Sequence, residues 1–240
     1  MIKSDYNSYT PYLLPLYINM EDNKDKKNNQ NPQSASDKDR TGNSVSYSKV
    51  GGFSSHSEQE RETNDYYATE PKAIEWLLKL EGFNNRIREP ACGEWHLSKY
   101  LVDQWYDVYS SDLIDRWYGK VRDFLETSFD KDLTPYSDLL WRDIITNPPY
   151  KIAGKFILHW LNLLEVWGKL ALFLPIRYLE WKDRKKIFQA YPPQTVWVSS
   201  SRLKCAMNWE FDKMNWSAVC YAWFIRERGH QWNTTLKWFN

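Results

Sequence analysis

The run Asp143-Ile144-Ile145-Thr146 is apolar and β-branched at its centre, and it ends in Asn147-Pro148-Pro149-Tyr150. Branched side chains there favour an extended strand. Consecutive prolines can neither donate to a sheet ladder nor continue a helix, and each holds the residue before it out of the α region. The strand must therefore stop at Asn147 in a stiff turn. In an α/β fold the carboxyl ends of the strands face the ligand crevice, so this turn is the first place to look for a site.

The flanking pattern supports that class. Ile74, Leu77, Leu78 and Leu80 recur at helical spacing over Pro71 to Glu81, with Pro71 suited to a first turn. Short strands are expected at Arg86–Glu89, Asp107–Ser111, Ile144–Thr146, Lys169–Leu174, Thr195–Ser199 and Ala218–Ile225. Helices are expected at Leu97–Gln104, Val121–Glu126, Ala153–Val166 and Arg177–Ala190. Strands alternating with helices predict an α/β, Rossmann-like fold. Its sheet is mostly parallel, covered by helices on both faces, with an antiparallel hairpin at its C-terminal edge. Residues 19–65 are Asn-, Asp-, Lys- and Ser-rich with few apolar side chains, too few to offset the entropy of ordering. The expected organisation is a largely disordered polar tail over 1–65 and one folded domain over 66–240.

The tetrapeptide carries a definite chemistry. Asn147 has a side-chain carbonyl, and the Pro148 backbone offers a second acceptor. Two acceptors on one planar exocyclic amine draw its nitrogen toward pyramidal geometry. The lone pair then localises and can attack an electrophilic methyl. Pro149 stiffens the turn, and Tyr150 supplies a flat face for stacking a base. Upstream, Glu89-Pro90-Ala91-Cys92-Gly93 lies in a strand-to-helix turn where backbone can approach a ligand. Asp112, after the next strand, is positioned as an acid for ribose hydroxyls. Asp123-Phe124 follows, where a side chain can meet an adenine ring.

In this order and spacing, residues 66–240 resemble the class I S-adenosylmethionine-dependent amino-methyltransferases, in particular the small phage-type DNA adenine methyltransferases. The resemblance implies methyl transfer from S-adenosylmethionine to the 6-amino group of a flipped adenine in DNA, with no metal. It also implies that Tyr67, Thr69 and Pro71 contact the methionine end and that Glu89 to Gly93 form the cofactor loop. Asp112 and Leu113 would take the ribose, Asp123 and Phe124 the adenine, and Asn147 to Tyr150 the chemistry. The same tetrapeptide serves enzymes acting on guanine in RNA or on a protein glutamine, and cytosine enzymes are close to it, so these amines stay open. Little length remains for a separate target-recognition segment. A very short target, or a protein partner that supplies recognition, is expected.

Composition narrows the setting. A net charge of +1 gives no global electrostatic footprint, so DNA contact needs a local patch such as Arg177, Lys182, Arg184–Lys186 or Arg202. Cys92, Cys205 and Cys220 have neither disulfide nor metal-ligand spacing. Residues 12–18 are too short and proline-broken for a membrane span, so a cytoplasmic protein without membrane contact is expected.

Tryptophan and glycine stand out against this background. The chain has 14 Trp but only 9 Gly, and that glycine share is about half the usual ~7%. Trp95, Trp105, Trp117, Trp167, Trp181, Trp209, Trp216 and Trp232 lie in turn-like contexts that ordinarily take glycine. Trp223 and Trp238 lie in strand-like contexts. The pattern predicts that UGA codons read as glycine in the source have been rendered as tryptophan. At position 95, where the resembling family has a second glycine, a tryptophan is expected to fill space needed by the methionine moiety. With a genuine Trp95 the chain would be a DNA-binding remnant with an impaired donor site.

Overall fold

Leu170 to Pro175 are buried without a break in the strand Lys169–Pro175. Leu170, Leu172 and Leu174 enter one apolar cluster, and Ala171 and Phe173 enter another. The strand therefore lies inside a sheet covered on both faces. The same split recurs in Asp143–Thr146, where Ile144 and Ile145 face opposite clusters, and in Tyr221–Glu227, where Ala222 and Phe224 oppose Trp223 and Ile225.

The computed structural model describes residues 68–127, 143–163, 168–203, 205–206 and 219–240. The polar tail expected over 1–65 and Tyr67 lie outside them, as do Trp167, Trp209 and Trp216. In chain order the strands are β1 (Ala68–Thr69), β2 (Arg86–Glu89), β3 (Asp107–Asp112), β4 (Lys120–Val121), β5 (Asp143–Thr146), β6 (Lys169–Pro175), β7 (Thr195–Ser199), β8 (Cys205–Ala206), β9 (Tyr221–Glu227) and β10 (Thr235–Phe239). The α-helices are α1 (Pro71–Leu80), α2 (His96–Asp103), α3 (Ala153–Leu163) and α4 (Lys182–Ala190).

The main sheet runs β10-β7-β9-β6-β5-β2-β3-β4. All its pairings are parallel except those of β9, which is antiparallel to both β6 and β7. This is the mostly parallel α/β sheet with an antiparallel C-terminal pair that the sequence predicts. From β2 the chain proceeds outward to β3 and β4, and from β5 it proceeds the other way to β6. The order reverses between β2 and β5, where such sheets hold their ligands.

Three local readings differ from expectation. The helix predicted over Val121–Glu126 is a two-residue strand followed by a single 3₁₀ turn, Phe124–Glu126. Asp123 Oδ1 accepts the Leu125 amide at 2.8 Å, a local turn that competes with helix propagation. The helix predicted over Arg177–Ala190 is split into a 3₁₀ segment, Ile176–Leu179, and α4, with Trp181 between them at φ 86°. A further strand, β10, pairs in parallel with β7 from Thr235↔Thr195 to Phe239↔Ser199.

Apolar stripes fix the helices to the sheet. Ala73, Ile74 and Leu77 of α1 are buried over the face that carries Phe173 and Trp223. Trp223 is fully buried, and its indole N–H donates to the Ala73 carbonyl at 2.9 Å. On the other face Ala153, Phe156, Ile157 and Trp160 of α3 close over Ile144 and Leu170. At the amino ends of the strands the buried Asp143 carboxylate accepts the Lys169 amide at 2.8 Å and the Asn84 side-chain amide at 3.1 Å. That leaves the opposite, carboxyl ends of β2, β3 and β5 for ligands.

Candidate functional site

A cavity of about 260 Å³ opens at the carboxyl ends of β2, β3 and β5. The loop after β2 supplies Glu89, Pro90, Ala91 and Cys92 to its wall. The end of β3 supplies Asp112 and Leu113, and Asp123 and Phe124 follow. Asn147 and Pro149 come from the turn after β5, and Thr69 comes from β1. Sequence positions nearly eighty residues apart thus share one wall.

Asp112 organises one side of the cavity. Its Oδ2 accepts the Gly93 amide at 2.8 Å and its Oδ1 accepts the Ile114 amide at 3.0 Å. One carboxylate therefore ties the loop after β2 to the loop after β3. The Cys92 amide reinforces this by donating to the Ser111 carbonyl at 3.0 Å. Each carboxylate oxygen accepts more than one hydrogen bond, so Asp112 retains capacity for two hydroxyls. Gly93 itself turns at φ 55°, the left-handed region that favours glycine.

Glu89 ends β2 and is 2% exposed. The Ser98 hydroxyl of α2 donates to its carboxyl, and Ser98 in turn lies 2.6 Å from the Ser110 hydroxyl. Burial raises the Glu89 carboxyl from 4.5 to about 8, the Ser98 bond opposes the rise, and the Asp112 charge adds to it. Burial, with the charges of Glu89 and Asp112, also pushes the Cys92 thiol up, so Cys92 is a packed thiol and no nucleophile. His96 follows the loop, lines the cavity, and is held by burial down to about 3.

At the turn after β5, the Asn147 amide nitrogen donates to Thr69 Oγ1 at 2.9 Å. That bond fixes the plane of the amide and its carbonyl direction. Pro148 is buried and outside the cavity wall. Tyr150 is half-buried, with its ring 6.4 Å from that of Tyr221, and it packs on the core rather than lining the cavity. Phe124 lines the cavity, and Phe156 and His159 pack against its ring at 4.7 and 4.9 Å between ring centroids.

The structure adds wall residues that the motifs did not single out, among them Ile114, Arg116, Lys151, Ile152 and Phe156. Lys151 and Ile152 directly follow Tyr150 and Phe156 lies in the first turn of α3, so the motif could have been read through into that helix. Pro71 stands apart, bordering a separate depression with Trp95, His96 and Tyr100. Trp95 is 47% exposed and its side chain is not part of the main cavity wall. The ring expected to fill the methionine space borders the depression that holds Pro71. The conflict at Trp95 lies in the backbone, at φ 154° and ψ −16°.

Among the described residues no group of three His, Cys, Asp or Glu could hold a metal ion, and no helix is long and apolar enough to cross a membrane. Neither a protein-family model nor a curated protein matches the chain by sequence.

Solved structures do match. A modification subunit assigned to a type I restriction enzyme from Vibrio vulnificus superposes with a TM-score of 0.50 at 11% identity, over 70% of this chain and 45% of that one. A protein assigned to the class I S-adenosylmethionine-dependent methyltransferases from Listeria monocytogenes gives 0.45 at 14% identity, over 70% and 64%. An S-adenosylmethionine-dependent O-methyltransferase from Thermotoga maritima gives 0.44 at 15%, over 72% and 70%. The chain thus spans less than two thirds of the Vibrio and Listeria proteins. At these identities the likeness concerns the fold alone: a mostly parallel, Rossmann-like sheet with an antiparallel C-terminal pair.

Proposed function

We propose that the protein transfers a methyl group from S-adenosylmethionine to the 6-amino group of adenine in DNA. The observation that carries this reading is the meeting of Asn147, Asp112 and the Glu89–Cys92 loop around one cavity at the reversal of strand order. The donor residues fit the cofactor's chemistry. Asp112 has acceptor capacity for a ribose diol, and Phe124 presents an apolar surface for an adenine ring. When bound, the cofactor supplies an electrophilic methyl on a sulfonium.

The chain's own groups would act on the acceptor. The target amine would donate one N–H group to Asn147 Oδ1 at the cavity wall. The second acceptor that the motif offers, the Pro148 carbonyl, belongs to a buried residue outside that wall and would have to be exposed to take the other. The amine nitrogen would pyramidalise to take the methyl from the sulfonium, which would leave as a neutral thioether, and the surplus amine proton would pass to water. Thr69 holds the Asn147 amide in the plane that this requires. Arg116 and Lys151 at the cavity would favour a polyanionic substrate.

The test offers methyl-labelled S-adenosylmethionine with duplex DNA, RNA or release-factor protein. Label recovered as N6-methyladenine in DNA is expected. Asn147→Ala should lower kcat by about 10²- to 10³-fold, as expected for removing one acceptor that acts in the transition state. Label confined to RNA or to protein would refute the DNA assignment.

A further inference from the structure

Four tryptophans occupy backbone that tryptophan does not favour. Trp105 (φ 70°), Trp117 (φ 66°), Trp181 (φ 86°) and Trp95 (φ 154°) all have positive φ. Among the described residues the only other non-glycine there is the C-terminal Asn240, while Gly93, Gly119 and Gly229 share that region. Tryptophan makes up 14 of 240 residues, so drawing it at all four positions by chance is remote. For a bulky side chain such a φ is a genuine outlier.

All four lie at helix ends or in a turn, and one of them in a motif that favours glycine. Trp105 stands just past the Gln104 cap of α2. Its amide donates to the Val102 carbonyl at 2.9 Å, and the Tyr106 amide donates to Leu101 at 3.1 Å. This pair of bonds is the Schellman motif, whose left-handed residue is usually glycine. Trp95 and Trp181 are the N-cap residues of α2 and α4, and neither makes a side-chain cap hydrogen bond. Trp181, at ψ 137°, lies close to a region open essentially to glycine alone. Trp117 closes a turn in which its amide donates to Asp115 Oδ1 at 2.9 Å.

The side chains contribute little packing to offset the strain: Trp95 is 47% exposed and edges onto His96 at 5.7 Å, and Arg184 lies 5.4 Å from the Trp181 ring. Trp105 and Trp117 are 90% and 97% exposed, and Trp181 is 72% exposed. The contrast within the chain is sharp. Trp160 and Trp223 are buried, and the indole N–H of Trp197 donates to Glu81 at 2.9 Å. None of these three has positive φ. Trp232 is exposed without positive φ and is not part of the set.

We infer that positions 95, 105, 117 and 181 are glycine positions, and that the working protein carries glycine there because its UGA codons are read as glycine. The gene tests this directly. TGA at these four codons and TGG at 160, 197 and 223 are expected, and TGG at the four overturns the inference. A physical test uses the full chain with Trp→Gly and Trp→Ala variants at each position, compared by urea denaturation. Alanine retains the Cβ that clashes at positive φ. Glycine should therefore raise the folded-to-unfolded ratio about 5- to 30-fold over either residue. Glycine variants no more stable than alanine variants at all four sites would also overturn it.

A consequence for binding rests on the proposed function. Position 95 sets the path of the backbone from Gly93 to the cavity-lining His96 and Leu97. S-adenosylmethionine, followed by calorimetry, should bind Trp95→Gly more tightly than Trp95→Ala. If neither variant bound it, the functional reading would fail while the codon and stability results stood.

Discussion

Glu89→Gln isolates one titration and gives it a sign. Glu89 is 2% exposed, and in the fold its carboxyl sits at about 8 against an ordinary value of 4.5, chiefly because burial disfavours the charge. Between those values the folded state holds a proton that the unfolded chain has released. The stability Glu89 contributes is thus complete below pH 4.5 and is lost as pH rises through about 8. The loss amounts to as much as about 1.4 kcal/mol per pH unit, or on the order of 3–5 kcal/mol across the window.

Glutamine keeps the shape and an oxygen for the Ser98 hydroxyl but does not titrate. Urea denaturation of both proteins from pH 5 to 8.5 should give similar stabilities at pH 5. By pH 8 the variant should be ahead by several kcal/mol. His96 provides an internal control of opposite sign. Burial holds it down to about 3 from 6.5. The stability it contributes is present above 6.5 and is lost as pH falls toward 3, equally in both proteins. The variant should keep that acid limb and lose only the alkaline one. A difference between the two proteins that stays constant from pH 5 to 8 would show that Glu89 is already ionised in the fold, and the burial argument would fail.

Two other substitutions separate the site from its scaffold. Asp112→Ala leaves the Gly93 and Ile114 amides without the carboxylate they donate to. It should cost about 1–3 kcal/mol in denaturation and abolish S-adenosylmethionine binding by calorimetry; retained affinity would remove Asp112 from the ribose role. Trp223→Ala empties a fully buried site and removes the indole bond to the Ala73 carbonyl. A loss of about 3–5 kcal/mol is expected, whereas a loss under 1 kcal/mol would mean that the core there can collapse.

Much of the sheet was legible in the sequence because its strands are buried on both faces and carry their own boundaries. Arg86–Glu89 and Thr195–Ser199 have the expected limits. What escaped had a weaker burial pattern. β10 exposes four of its five residues, with only Phe239 entering the core beside Trp76, and no local pattern announces its pairing with β7. The helix expected through Val121–Glu126 failed because the Asp123 side chain, read only as a binding group, also caps a 3₁₀ turn. The helix expected through Arg177–Ala190 failed at Trp181, whose backbone direction is invisible while it is read as tryptophan. In the candidate site, motif spacing foretold that Asp112 and Asn147 would share a cavity. It could not foretell that Tyr150 would turn toward Tyr221, since ring packing depends on a neighbour more than seventy residues away.

The turns and the sheet answer to different energies, which is why the fold survives in a chain carrying tryptophan at the four strained positions. The strands are positioned by apolar burial on two faces, and none of Trp95, Trp105, Trp117 or Trp181 takes part in either core cluster. Their strain stays in the backbone while their rings lie largely in solvent. At about 1–2 kcal/mol each, four such positions together cost about 4–8 kcal/mol, comparable with the 5–15 kcal/mol of net stability typical of a whole domain. A chain with tryptophan at all four sites would therefore keep its topology and lose most of its margin. The defect would be felt first at the loop after β2, where Gly93 and position 95 must both hold unusual backbone for Asp112 to clasp the turn.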